Sequence, residues 1–156
     1  MSEETEGTFV VTHAEADSAV LKDVDAGQVH TLGENPGVEA GDVLDATLAP
    51  EPPLEVTWQV VAVETRRRIT VERSEEPPTQ QERDIAAAQS VGELTREERA
   101  GKGEIHVITV PEDDTDEAVA DVLADEGTLA RAARMPAVNR VEIRFEPGVV
   151  SVRYLP

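Results

Sequence analysis

The stretch Val141-Glu142-Ile143-Arg144-Phe145-Glu146-Pro147-Gly148-Val149-Val150-Ser151-Val152-Arg153-Tyr154 alternates apolar and polar residues around a Pro-Gly pair. Period-two alternation marks a strand with one buried face, and Pro-Gly suits the centre of a turn. Folding the stretch with Glu146 and Val149 flanking the turn sets Phe145 against Val150, Ile143 against Val152 and Val141 against Tyr154. These six share a face, while Glu142 meets Arg153 on the other. Apolar and charge patterns thus select one register. A two-residue hairpin prefers a primed turn, which Pro-Gly does not give, so a slightly longer loop is the alternative.

Working outward from the hairpin, Ile105–Val110 reads as a buried strand ended by Pro111. Asp114 is placed to N-cap a helix with Glu117 at its third position and Val119, Val122 and Leu123 as its apolar stripe. Gly127 suits the position after that helix, and Thr128 is placed to cap a second one ending near Met135-Pro136. Residues 104–156 therefore predict a β-α-α-β-β unit with helices over one face of a sheet. Before it, residues 74–103 read as a linker, Glu75-Glu76-Pro77-Pro78, followed by short helices. Thr79-Gln80-Gln81-Glu82 fits a capping box for a helix reaching about Val91, and Thr95-Arg96-Glu97-Glu98 fits a second box ending before Gly101.

Residues 7–73 read as short strands separated by turn clusters: Thr8–His13, Ser18–Asp23, Gln28–Leu32, Val38–Ala49 and Leu54–Glu64. The last is expected to place Val56, Trp58, Val60 and Ala62 on one face, and Arg66–Arg73 either extends it or starts a new strand. Five strands in so short a span predict a small antiparallel β-barrel, because closure removes exposed edges. Residues 1–6 read as an acidic tail. The whole is an α+β chain.

Charge sets the expected environment. The chain of 156 residues has 33 Asp plus Glu against 14 Lys plus Arg, a formal net charge of -19, and Lys22 and Lys102 are its only lysines. Such self-repulsion opposes compaction in dilute buffer and is screened in molar salt, where the Debye length is about 3 Å. This composition predicts a halophilic origin. The chain has no cysteine, which excludes disulfides, thiolate catalysis and Cys-ligated metals. The N-terminus lacks the basic and apolar regions of a signal peptide, and apolar runs are too short to span a bilayer, so a cytoplasmic protein with no membrane partner is expected.

Candidate chemistry is sparse. His13, His30 and His106 fall in predicted strands without a surrounding motif, although His13 and His30 together would be a conceivable metal pair. Glu112–Glu117 lacks the spacing of a calcium loop and reads as helix capping. No phosphate loop, zinc motif or nucleophile elbow occurs, so no catalytic residue, metal ligand or cofactor site is assigned. Arginines are unevenly spread, all twelve lying after residue 65. Arg66, Arg67, Arg68 and Arg73 form the candidate nucleic-acid-binding cluster, and ion pairing with nearby acids is the alternative use.

Gly7-Thr8-Phe9, the run from Asp25 to Leu32 and the run from Leu48 to Val56 resemble a protein family of halophilic archaea that is a domain of unknown function; this resemblance implies no activity. Pro36-Gly37-Val38-Glu39-Ala40-Gly41-Asp42-Val43 is similar to the turn entering a strand in small RNA-binding barrels of the TRAM or OB type. That resemblance implies RNA binding, but the segment offers only Lys22 as a cation. The leading expectation is a non-catalytic, salt-adapted binding or adaptor protein with a protein or RNA partner. The alternatives are RNA binding through the barrel or Arg66–Arg73, and a metal-dependent enzyme using scattered carboxylates.

Overall fold

Alternation of apolar and polar residues, interrupted by glycine, proline and acidic turns, yields ten strands and three helices in the computed structural model, which describes residues 3–156. Met1 and Ser2 of the expected acidic tail lie outside the described residues, and Thr5 and Glu6 already belong to the first strand. The fold is mixed α+β, mostly strand, with two sheets. Two compact units result: the chain up to Ile69 with Leu129–Arg134, and Thr70–Thr128 with Met135–Pro156.

In the first unit β1 (Thr5–Ala14), β2 (Ala19–Asp23), β3 (Val29–Leu32), β4 (Asp42–Pro50) and β5 (Trp58–Arg68) follow the order β1-β2-β3-β5-β4 and close into a ring. All pairings are antiparallel except β3 with β5, which is parallel and rests on Leu32 opposite Trp58. The expected all-antiparallel arrangement fails at that junction. There the chain reaches β5 only after β4 has crossed the ring, so β5 enters in the direction of β3. Phe9, Val11, Leu21, Leu32, Leu44 and Leu48 fill the interior, with Trp58 and Val60 packed against them.

Val10 and Val43 point the other way and are buried as well. Arg67, opposite Val43, donates to the Ala133 carbonyl (2.9 Å), which brings the end of α3 (Glu126–Ala133) to the outside of these strands. Arg134 donates to the Val24 carbonyl (3.4 Å) at the same end.

The second unit is a five-stranded sheet ordered β6-β9-β10-β8-β7, built from β6 (Thr70–Arg73), β7 (Leu94–Glu98), β8 (Glu104–Thr109), β9 (Arg140–Glu146) and β10 (Val149–Leu155). The β9–β10 hairpin has the register that the alternation predicts, including Phe145 opposite Val150 and Glu142 opposite Arg153. Its turn is the two-residue Pro147-Gly148, with Gly148 at φ 88°. The β-α-α-β-β order is present, and β6 and β7 widen the sheet on either side.

Two expectations fail in this unit. Thr95-Arg96-Glu97-Glu98 is not a helix start but lies within β7, where its residues pair with Ile105–Val107 and Glu104 across the Gly101-Lys102-Gly103 turn. Pairing with a neighbouring strand outweighs the local capping pattern. Helices also lie on both faces of the sheet rather than one. α1 (Gln80–Ala87) covers the polar face, and α2 (Thr115–Ala124), reached through a 3-10 turn at Glu112–Asp114, lies against β6, β9 and β10. Asp114 occupies the N-cap of α2 without a side-chain bond, and Thr115 hydroxyl donates to the Glu112 carbonyl instead (2.8 Å). Thr128 falls inside α3 rather than at its cap.

α1 has few apolar residues because its inward side chain is a carboxylate. Thr79 and Glu82 form the predicted capping box (3.1 and 3.2 Å), and Glu82 is fully buried. Ser151 hydroxyl donates to it, and Arg153 does so at 2.8 Å. Arg153 and Arg144 flank Glu142, and Arg144 reaches Glu76 at 2.8 Å. Burial works to raise the Glu82 pKa, but the Ser151 hydroxyl, the Thr79 N–H and the Arg153 charge outweigh it and hold the carboxyl below its ordinary value.

A carboxyl with a depressed folded pKa stabilises the fold above the unfolded pKa and loses that contribution as pH falls through the folded one. Glu82→Ala leaves Arg153 with only the longer Glu142 contact (3.7 Å) and the Ser151 hydroxyl without its acceptor, and is expected to cost about 3 kcal/mol at pH 7. The penalty shrinks as pH drops below the carboxylate range, which urea unfolding at pH 7 and pH 3 measures.

Candidate functional site

Large apolar side chains on the surface are informative when they gather. In the first unit they are Val29 on β3, Leu54 and Val56 in the loop after β4, and Val61 and Val63 on β5. All belong to β3, β5 or the segment leading into β5, the two strands that the Leu32–Trp58 pair joins. Bonds from Glu51 N–H to the Thr57 carbonyl (2.8 Å) and from Glu55 N–H to the Glu51 carbonyl (2.9 Å) shape the loop that presents Leu54 and Val56.

The pairing of β5 with β4 slips twice. Thr47 faces Ala62 while Leu48 faces Val60, so Val61 is an extra residue; Asp45 faces Thr65 while Ala46 faces Val63, so Glu64 is another. Each slip resets which residues point inward. The expected face of Val56, Trp58, Val60 and Ala62 is therefore reduced to Trp58 and Val60, and Val56 and Ala62 are exposed. A bulge leaves no signature in apolar alternation.

The arginine cluster is divided between the two sheets. Arg66, Arg67 and Arg68 end β5, whereas Arg73 ends β6 and is exposed. Arg66 donates to Asp42 at 2.7 Å and to the Gly37 carbonyl at 3.0 Å. Arg68 pairs with Asp42 at 3.2 Å and with Glu39. Asp42 is 2% exposed and also accepts the Glu39 N–H (2.9 Å). Two guanidinium groups thus neutralise one buried carboxylate and fasten the loop that precedes β4. Arg67 points to the other side, toward α3.

Asp45 is a further paired carboxylate. It accepts Thr65 hydroxyl at 2.5 Å and Thr8 hydroxyl at 2.6 Å, and these bonds hold its pKa below the ordinary value. These partners lie many positions away in sequence, so charge counting could not reveal them.

His30 is the one polar side chain of the ring interior with no hydrogen bond among the described residues. It is 2% exposed, edge-on to Trp58 (centroids 4.5 Å apart) and to Phe9 (5.5 Å). His13 is exposed on β1 beside Thr12, and His106 is buried beside Glu104 (2.9 Å) and Tyr154. Among the described residues no three His, Asp or Glu side chains gather as a metal site. No described helix is long and apolar enough to cross a membrane.

The pattern of short strands, turns and acidic loops over residues 5–145 matches the model of a family of unknown function, DUF5812. The chain belongs to that family. No curated protein and no solved structure matches the DUF5812 chain. The DUF5812 surface described above is thus defined by its own residues: exposed valines beside β3 and β5, and arginines spent on Asp42.

Burial lowers the His30 pKa from its ordinary 6.5, and Asp23 opposes that shift. A base with a lowered folded pKa takes up protons on unfolding, so stability is complete above pH 6.5 and declines as pH falls below it. His30→Leu is expected to flatten the decline between pH 7 and pH 5, monitored by Trp58 fluorescence during urea unfolding. An unchanged pH profile would show that His30 is not responsible.

Proposed function

We propose that this protein is a non-catalytic binding module that acts as an adaptor in the cytoplasm of a salt-adapted cell, contacting a protein partner through the exposed apolar residues beside β3 and β5. The observation that carries this reading is that the exposed large apolar residues of the first unit, Val29, Leu54, Val56, Val61 and Val63, all belong to β3, β5 or the segment leading into β5. Isolated surface valines need no explanation, but several exposed large apolar residues on two neighbouring strands and their approach favour a contact surface. The acidic groups that attract attention by burial are engaged internally: Glu82 by Ser151 and Arg153, Asp42 by Arg66 and Arg68. Salt adaptation is supported by the net charge of -19 and two lysines.

A second reading, RNA binding, has one specific observation in its favour. The ring order β1-β2-β3-β5-β4, with its parallel β3–β5 junction, supports reading the first unit as an OB-like barrel, a fold that often holds single-stranded nucleic acid. Against it, the first 65 residues carry one lysine and no arginine, and Arg66 and Arg68 already serve Asp42.

Native capture from a high-salt lysate separates the two. Under the adaptor reading the wild type retains specific proteins, and a Val61→Asp, Val63→Asp double variant with an unchanged circular-dichroism spectrum loses them. RNA retained by that variant but lost from a folded Arg66→Ala, Arg67→Ala, Arg68→Ala variant moves the RNA reading to first place. A turnover abolished by one point substitution sinks both. Salt adaptation predicts a rising melting temperature from dilute buffer to about 2 M KCl as charge repulsion is screened; a flat response rejects it.

A further inference from the structure

Sheet edges invite pairing with another chain unless they are shortened, bulged or blocked. In this protein β5 carries two register slips and β6 has four residues. β7 is nearly as short, at five residues, and carries Arg96, Glu97 and Glu98, but those charges are of both signs. It is the outermost strand beside β8 and pairs with it in an unbroken register from Leu94 opposite Ile108 to Glu98 opposite Glu104. It contains no proline and no lysine.

The phase of that ladder decides which groups are free. Arg99 N–H donates to the Gly103 carbonyl and Thr109 N–H to the Glu93 carbonyl. Antiparallel residues alternate between exchanging both bonds with the neighbour and turning both groups away. Glu93, Thr95, Glu97 and Arg99 turn toward β8, so Leu94, Arg96 and Glu98 turn their N–H and C=O outward. No described residue pairs with those groups. Leu94 is 44% exposed, and Val91, just before the strand, is 61% exposed.

We propose that β7 is a homodimerisation edge, pairing antiparallel with β7 of a second copy about a two-fold axis at Glu97. In this register the outward groups of Arg96 bond those of Glu98 in the second copy, and the reverse. Each Arg96 side chain then faces an opposite charge, giving two symmetric cross-strand pairs. The strand is self-complementary, which argues for a second copy rather than an unrelated partner. Leu94 and Val91 are the apolar residues at the end of the contact. Glu97 meets its own copy at the axis, where Gln81 donates to its carboxylate (2.9 Å) and holds it aside. Two chains of net charge -19 repel at long range, so the dimer strengthens with salt. The proposal is independent of the adaptor reading, because β7 shares no residue with the β3–β5 surface.

Sedimentation of the full chain across a concentration series, in dilute buffer and in about 1 M KCl, tests it. A monomer–dimer equilibrium shifted toward dimer by salt is expected. Arg96→Glu places like charges across the axis and is expected to weaken the dimer about tenfold or more. The Arg96→Glu, Glu98→Arg double variant restores the complementarity and the dimer. Arg96→Pro removes only an outward N–H, leaves the β8 ladder intact and yields a monomer with an unchanged circular-dichroism spectrum. A wild type that stays monomeric in salt overturns the proposal, as does a dimer indifferent to Arg96→Glu and Arg96→Pro.

Discussion

Glu82 keeps its charge while fully buried because a hydroxyl, a guanidinium and a backbone N–H converge on it from different elements. Remove that convergence and α1 has little reason to lie on the sheet, since its buried residues are Glu82 and Ala86. Ser151 and Arg153 belong to β10, the strand between β9 and β8, so the same contacts fix the centre of the sheet. Arg153 and Arg144 then order Glu142 on β9. One face of this sheet is held by charge and the other by the apolar side chains of the hairpin, an uncommon division in so small a unit. A buried pair of this kind is costly to break but adds little net stability over an apolar equivalent. Its value here lies in specifying where a helix with almost no apolar stripe must sit.

The first unit solves a similar problem at its rim. Asp42 opens β4 as a nearly buried carboxylate, and Arg66 and Arg68 return to it from the far end of β5. Because β4 and β5 are antiparallel, the start of one meets the end of the other, and the arginines at that end meet the acid by topology alone. This use of Arg66 and Arg68 explains why a run of basic residues sits at the end of an otherwise acidic half.

The parts legible in the sequence were those where two signals had to agree. The hairpin was readable because apolar alternation and the Glu142–Arg153 pairing selected one register. The Thr79–Glu82 capping box was readable because a proline-rich linker preceded it. The same capping pattern misled at Thr95–Glu98, where pairing with Glu104–Val107 decides the outcome and no local residue announces it. The candidate surface was hidden for a related reason. The alternation puts Val61 and Val63 opposite the expected inward face but gives no sign that they stay exposed, and the slips that turn Ala62 outward arise from how β4 and β5 fit together. Likewise, the arginine cluster was visible as composition, but its partners lie more than twenty residues away.

The division of the chain also has a consequence for its synthesis. The ring is made from the N-terminal residues, but the compact unit it forms also takes in Leu129–Arg134, and β6, which follows β5 almost at once, pairs with β9. A chain emerging from the ribosome therefore cannot finish its first unit and then begin the second. The first waits for Leu129–Arg134, and the second for β9 and β10, which follow later still. Until then the outward-facing Val10 and Val43 lack the helix end that follows, so the nascent chain must carry an unfinished surface through most of its elongation.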